Sequence, residues 1–175
     1  MEDSPGLRTT EVERPVLRED AERVGRELKA AFASGRRRVV VDVLDHGYGL
    51  ERVSDHELAV REPAEAAGAR IFIGDEPRPA GYPDDLPYVP GVVVFLVEHD
   101  GIATGTWWFP RDLERLVQDV SSQCTASGWR REEGPVAEGE VAGYLFRKGD
   151  RVRQVITGPG LVSFLQRPSG SPGNA

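Results

Sequence analysis

Asp20-Ala21-Glu22-Arg23-Val24 leads to Ala33-Ser34-Gly35-Arg36-Arg37, and about ninety residues later Asp112-Leu113-Glu114-Arg115-Leu116 leads to Ala126-Ser127-Gly128-Trp129-Arg130. Each passage reads as an amphipathic helix, a glycine stop and a basic entry into a strand. The echo divides the chain into two units, each a helix followed by β-structure, and suggests an internal duplication sharing one sheet.

In the first unit Leu17, Ala21, Val24, Leu28, Ala31 and Phe32 recur at steps of three and four, predicting a helix from Pro15 to Gly35. In the second, Pro110 suits a first helical turn, and Leu113, Leu116, Val117, Val120 and Cys124 form one stripe ending at Gly128. Between them, Arg38 to Leu44 is a β-branched strand, with Asp45-His46-Gly47-Tyr48-Gly49 read as the turn that ends it. Shorter strands are expected near Glu57 to Arg61 and Ala69 to Ile73. Gly74 to Gly91 holds five prolines and three glycines, so it must be a long loop. Val92 to His99, Asp100-Gly101 and Ile102 to Phe109 form the clearest hairpin, because Asp-Gly supplies the positive φ of a type I′ turn. Both faces of that hairpin are apolar, which predicts a central position covered on both sides. A closing meander runs from Trp129 to Gln166 over turns at Gly149-Asp150 and Gly158-Pro159-Gly160.

Tight turns make the strands antiparallel, so the expected class is α+β: two helix-then-antiparallel-meander halves sharing one sheet. Residues 15–167 are expected to form one domain, with pseudo-halves 15–109 and 110–167, between flexible segments at 1–14 and 168–175. The first 110 residues carry 21 acids against 13 bases; the remainder carry 8 against 9. A formal net charge of −7 disfavours general affinity for nucleic acid or an anionic membrane, both of which need a basic face. Only Arg147, Lys148, Arg151 and Arg153 in the closing meander suggest the contrary. The opening Met1-Glu2-Asp3-Ser4-Pro5 is not a secretory signal, and no apolar run is long enough to span a bilayer, so a soluble cytoplasmic protein is the expectation. Two lysines against twenty arginines suggest a GC-rich bacterial genome.

No nucleophile motif, phosphate loop or metal-ligand pair at helical spacing is present, and no cofactor is expected. His46, His56 and His99 all have acidic neighbours and would converge on a metal or substrate only if three strand ends met at one sheet rim. Ser34 and Ser54 lie in no catalytic context, and Cys124 on an apolar stripe reads as a core thiol. Arg36-Arg37-Arg38 and Arg130-Arg131 fit the C-terminal dipoles of the two helices. Trp107-Trp108-Phe109 should place one ring under the second helix and leave the other face as an interface. Tyr82, Asp84, Asp85 and Tyr88 combine aromatic and acidic groups on a stiff loop, the composition of a partner-docking element; the alternative is that the tyrosines pack inward. Together these features favour a non-enzymatic binding or accessory protein, such as a subunit, adaptor, chaperone-like or immunity-type protein. The alternative is a small-molecule or metal-dependent enzyme using His46, His56 and His99.

Overall fold

The computed structural model describes residues 18–43, 45–73, 78–90, 92–108, 113–139 and 141–168. Helix α1 spans Arg18–Ala33 and α2 spans Leu113–Ala126. Ten strands build one antiparallel sheet: β1 Arg38–Val43, β2 His46–Ser54, β3 Glu57–Glu62, β4 Arg70–Phe72, β5 Val93–His99, β6 Ile102–Trp108, β7 Arg130–Glu138, β8 Val141–Lys148, β9 Arg151–Gly158 and β10 Leu161–Pro168. A short 3-10 turn, Ala64–Ala66, precedes β4. The strand order is β1-β2-β3-β4-β5-β6-β10-β9-β8-β7, so each helix is followed by a meander and the meanders meet where β6 pairs with β10. The fold is α+β, dominated by its sheet.

The helices sit on opposite faces of that sheet. Ala21, Val24, Leu28, Ala31 and Phe32 of α1 pack with Val41, Leu50, Leu58, Val60, Ile71, Val93 and Trp108. Leu116, Val120 and Cys124 of α2 pack with Phe72, Val94, Leu96, Trp107, Phe146, Val155, Val162 and Phe164. Alternation along β5 and β6 feeds both cores, since successive strand residues point to opposite faces. The central hairpin therefore has the predicted register, His99 opposite Ile102, with Asp100 at φ 49° and Gly101 at φ 77°. Trp107 lies under α2 as expected, but Trp108 is buried under α1 rather than left for an interface.

Gly105 of β6 lies between Leu96 and Phe164, and the ring of Phe164 fills the space a side chain there would need. The α2 terminus follows the glycine-stop logic: Gly128 has φ 86°, its N–H bonds to Thr125 O, and Trp129 N–H reaches Cys124 O. The predicted turn at Asp45 to Gly49 is corrected. Asp45, at φ 67°, belongs to the turn; Gly47, Tyr48 and Gly49 are strand residues opposite Asp42, Val41 and Val40. Their pairing to β1 and the packing of Tyr48 against Phe95 outweigh the turn preference of the glycines. Pro168 ends β10 instead of opening a tail. Pro15, Leu17, Leu44, residues 74–77, Gly91, Phe109, Pro110 and the two terminal segments (1–14, 169–175), for which the sequence carries expectations, lie outside the described residues.

Candidate functional site

The proline-rich segment 78–90 contains neither helix nor strand, and its own Arg78 together with side chains from α2, β4 and β9 holds it in place. Arg78 Nη1 donates to the carbonyls of Pro83 (2.6 Å) and Leu86 (2.8 Å), while its guanidinium lies over the rings of Tyr82 and Tyr88. From α2, Gln123 grips Tyr88 by the backbone: its Oε1 accepts from the Tyr88 N–H at 2.8 Å and its Nε2 donates to the Tyr88 carbonyl. From β4, Arg70 Nη1 donates to Gly81 O at 2.9 Å. From β9, Arg153 Nη2 donates to Asp85 O at 2.6 Å.

Arg153 is the chemical centre of this arrangement. It is 1 % exposed, donates through Nε and Nη2 to Gln166 Oε1 (3.0 and 2.6 Å) and through Nη1 to Cys124 Sγ (3.1 Å), and stacks 4.0 Å from the centre of the Trp129 ring. Its nearest carboxylate, Asp85, is reached indirectly: Asp85 Oδ2 accepts from Gln166 Nε2 at 3.2 Å and from Arg151 at 3.3 Å. Burial draws the Arg153 proton affinity down and pushes the Cys124 thiol up, so a neutral thiol faces a desolvated guanidinium. That is the opposite of an activated thiolate. A cavity of about 300 Å³ opens between Tyr88, Gln123, Ser127, Arg78 and Arg153, but the polar groups of Arg78, Gln123 and Arg153 are already spent on the segment's backbone.

The proposed docking tetrad therefore splits. Tyr82 and Tyr88 are each 4 % exposed and belong to the α2-side core. Tyr82 packs on Phe72 and Tyr88, donates its hydroxyl to Pro87 O, and has its pKa pushed up by burial. The reading of these tyrosines as a partner surface is corrected: Arg70, Gln123 and Arg153 hold the segment's backbone against the sheet, and the two rings fill the space beyond Phe72. Asp84 and Asp85 stay at the surface.

The histidines do not meet. His46 begins β2 at the end of the sheet where β5 finishes with His99, whereas His56 lies in the β2–β3 turn at the opposite end. His46 and His99 are separated by three strand spacings, roughly 14 Å. His99 instead contacts Asp100 at 2.9 Å, with both side chains exposed. No group of three potential metal ligands occurs among the described residues. Ser34 Oγ donates to Ala31 O within the end of α1, and Ser54 Oγ accepts from His56 N–H in a turn.

Cations do complement the helix C-termini, but not those the sequence suggested. Arg52 on β2 donates to Ala31 O (3.3 Å) and Phe32 O (2.8 Å) of α1, and Lys148 on β8 donates to Ser127 O just beyond α2. Arg37 and Arg130 are exposed and pair with Glu51 and Glu132. Arg147 and Arg151, together with Lys148 and Arg153, are committed to internal contacts. Glu51 sits between Arg61 and Arg37, and its hydrogen bond from Arg61 leads in lowering its pKa. Gln166, whose amide organises Arg153, carried no sequence signal beyond its place in a strand.

A different surface appears on the α1 side of the second meander, which α1 meets at Gly160 and Leu161 and leaves open beyond them. Register places Val97, Thr104, Leu165, Gln154, Leu145 and Glu133 in one row across that face. The adjoining row contains Thr106, Ser163, Ile156, Gly143 and Val136. Val97, Ile102, Val136, Val141 and Ile156 are 36 to 67 % exposed. The period-2 pattern could have found this face, since Val152 and Ile156 alternate with inward-facing Arg153 and Val155. No family model, curated protein or solved structure matches the chain. No helix among the described residues is long and apolar enough to cross a membrane.

Proposed function

We propose that the protein is a non-enzymatic binding or accessory protein, of the subunit, adaptor, chaperone-like or immunity type, that docks another protein on the open face of β8, β9 and β10. The supporting observation is the set of aliphatic side chains on that face, interspersed with Thr104, Gln154 and Ser163. A solvated face of an antiparallel sheet ordinarily alternates to polar residues, whereas here Val97, Ile102, Val141 and Ile156 are exposed beside half-buried Leu145, Val152 and Leu165. Asp84 and Asp85 lie on the other side of the sheet and are not needed for this contact.

Ile156→Asp tests the reading, because Ile156 is central on the face and its substitution should change stability by no more than about 1 kcal/mol, as at other partly exposed sites. Cross-linking in the native host, followed by purification of wild type and variant in parallel, should recover a protein partner with the wild type and lose it with the folded variant. Equal recovery by both proteins, or no reproducible partner for the wild type, would refute docking at this face.

A further inference from the structure

The two edges of the sheet are built differently. Edge strand β7 contains Gly134-Pro135, runs through two register shifts against β8 and opens with four consecutive charged residues, Arg130 to Glu133, which are devices that prevent edge-to-edge pairing. Edge strand β1 has neither the proline nor the register shifts, and its two charges, Arg38 and Asp42, are of opposite sign on either side of Val40. Arg38-Val39-Val40-Val41-Asp42-Val43 pairs with β2 in unbroken register and contains no proline, and Val40 is 77 % exposed.

Hydrogen-bond parity shows which β1 groups face outward. The Arg52 N–H bonds to Arg37 O at 2.7 Å, which makes Arg37 and Arg52 a hydrogen-bonded pair of the antiparallel ladder. Alternation then directs the backbone groups of Val39, Val41 and Val43 into β2, and those of Arg38, Val40 and Asp42 to the free edge. The side chains of those three outward-bonding residues share the exposed face, with a cation at one end, an anion at the other and valine between. Among the described residues neither Arg38 nor Asp42 has a salt-bridge partner within the chain.

We propose that β1 is a self-association edge, pairing antiparallel with β1 of a second copy about a two-fold axis at Val40. In that register Arg38 faces Asp42 of the second copy, Val40 faces Val40, and Asp42 faces Arg38. The same three residues supply the ladder hydrogen bonds, so charge matching and backbone parity select one register together. An axis at Val39 or Val41 would instead place Arg38 or Asp42 opposite Val40. The interface is isologous and closes as a dimer. Space for the incoming strand exists: a groove of about 570 Å³ runs along the free edge between Val39, Val41 and α1, lined by small Ala30 and Ala31 of the helix and by Ser34 just beyond it. Glu27 lines the same groove, and its Oε2 is buried without a hydrogen-bond partner, an acceptor that an incoming chain can satisfy. The β1 edge lies at the far end of the sheet from the open face of β8 to β10, so self-association and partner docking stand or fall separately.

Sedimentation velocity on the full chain over about 1 to 300 µM, the span in which small interfaces associate, should show a concentration-dependent rise from the 19.2 kDa monomer to twice that mass. Arg38→Asp and Asp42→Arg should each weaken association about tenfold or more, because each turns both symmetry-related attractions into repulsions. The Arg38→Asp/Asp42→Arg double variant should recover dimerisation, and Val40→Pro, which removes a central donor, should abolish it. All three positions changed are exposed ones on an edge strand, and circular dichroism checks that each variant is folded. A wild type that stays monomeric throughout the range overturns the proposal. So does a dimer indifferent to the single charge reversals, or a double variant no better than either single.

Discussion

Replacing Arg153 with alanine tests whether the segment 78–90 is held by a buried polar centre or merely rests on the sheet. The substitution leaves Gln166 Oε1 without the Arg153 donors, in a residue only 6 % exposed, and removes the donor to Asp85 O. Each orphaned buried acceptor costs about 1 to 3 kcal/mol. Loss of packing on Trp129 adds to this, while relief of the guanidinium desolvation offsets part of it. The net expectation is a loss of about 2 to 4 kcal/mol, a large fraction of a domain's stability. Arg153→Met keeps the apolar stem but orphans the same acceptors, so it too should destabilise. Arg153→Met/Gln166→Leu removes the charge and its main acceptor together, and should lie within about 1.5 kcal/mol of wild type. Urea melts of wild type, Arg153→Met, Gln166→Leu and the double variant give the coupling energy directly, and hydrogen exchange at the Tyr88 amide reports release of the segment. A loss below about 0.5 kcal/mol for Arg153→Ala, or additivity within that margin across the cycle, would show that Arg153 and Gln166 do not act as a unit.

Three further outcomes follow from the packing. Tyr82→Ser/Tyr88→Ser empties two ring sites beside Phe72 and should cost at least about 4 kcal/mol in thermal or urea unfolding, so a near-native melt would return these tyrosines to the surface. Gly105→Ala brings a methyl carbon to 2.1 Å from the Phe164 ring, and because that ring is 1 % exposed and packed at a tilt against Trp107 the expected loss is about 2 kcal/mol or more; Gly105→Ala/Phe164→Leu should regain part of it. Leu28→Ala and Leu116→Ala, in the separate α1-side and α2-side cores, should each cost about 2 to 5 kcal/mol and sum additively, which urea melts of the double variant check.

The elements whose chemistry is local were the ones legible in the sequence. Asp100-Gly101 needs only two adjacent residues with positive φ, and the hairpin register follows from it. The helices follow from stripes such as Leu116, Val120 and Cys124 on one face, with Gly128 at the stop. Gly47-Tyr48-Gly49 was misread because two glycines carry a turn preference, and only pairing with Val40 to Asp42 reveals the strand. Tyr82 and Tyr88 were misplaced for a related reason. A proline-rich loop looks solvent-borne until the distant donors Arg70, Gln123 and Arg153 are seen to satisfy its carbonyls. The partners of Arg153 come from positions 85, 124, 129 and 166, and no sequence spacing unites them.

The echo between Asp20 to Arg37 and Asp112 to Arg130 has the same local origin. Ten antiparallel strands place β1 and β7 at opposite ends of the sheet running in opposite directions. A rotation exchanging two such strands must have its axis normal to the sheet, and that operation keeps each helix on its own face. Yet α1 and α2 lie on opposite faces. No two-fold rotation therefore superposes one helix-and-meander unit on the other within this sheet. What the units share is a way of ending a helix: a glycine at φ 66° or 86° just past it, and a cation reaching back from the second strand of the following meander, Arg52 on β2 and Lys148 on β8. The repeated wording reports a repeated physical problem, unsatisfied carbonyls at a helix end beside a strand entry, solved twice on opposite faces.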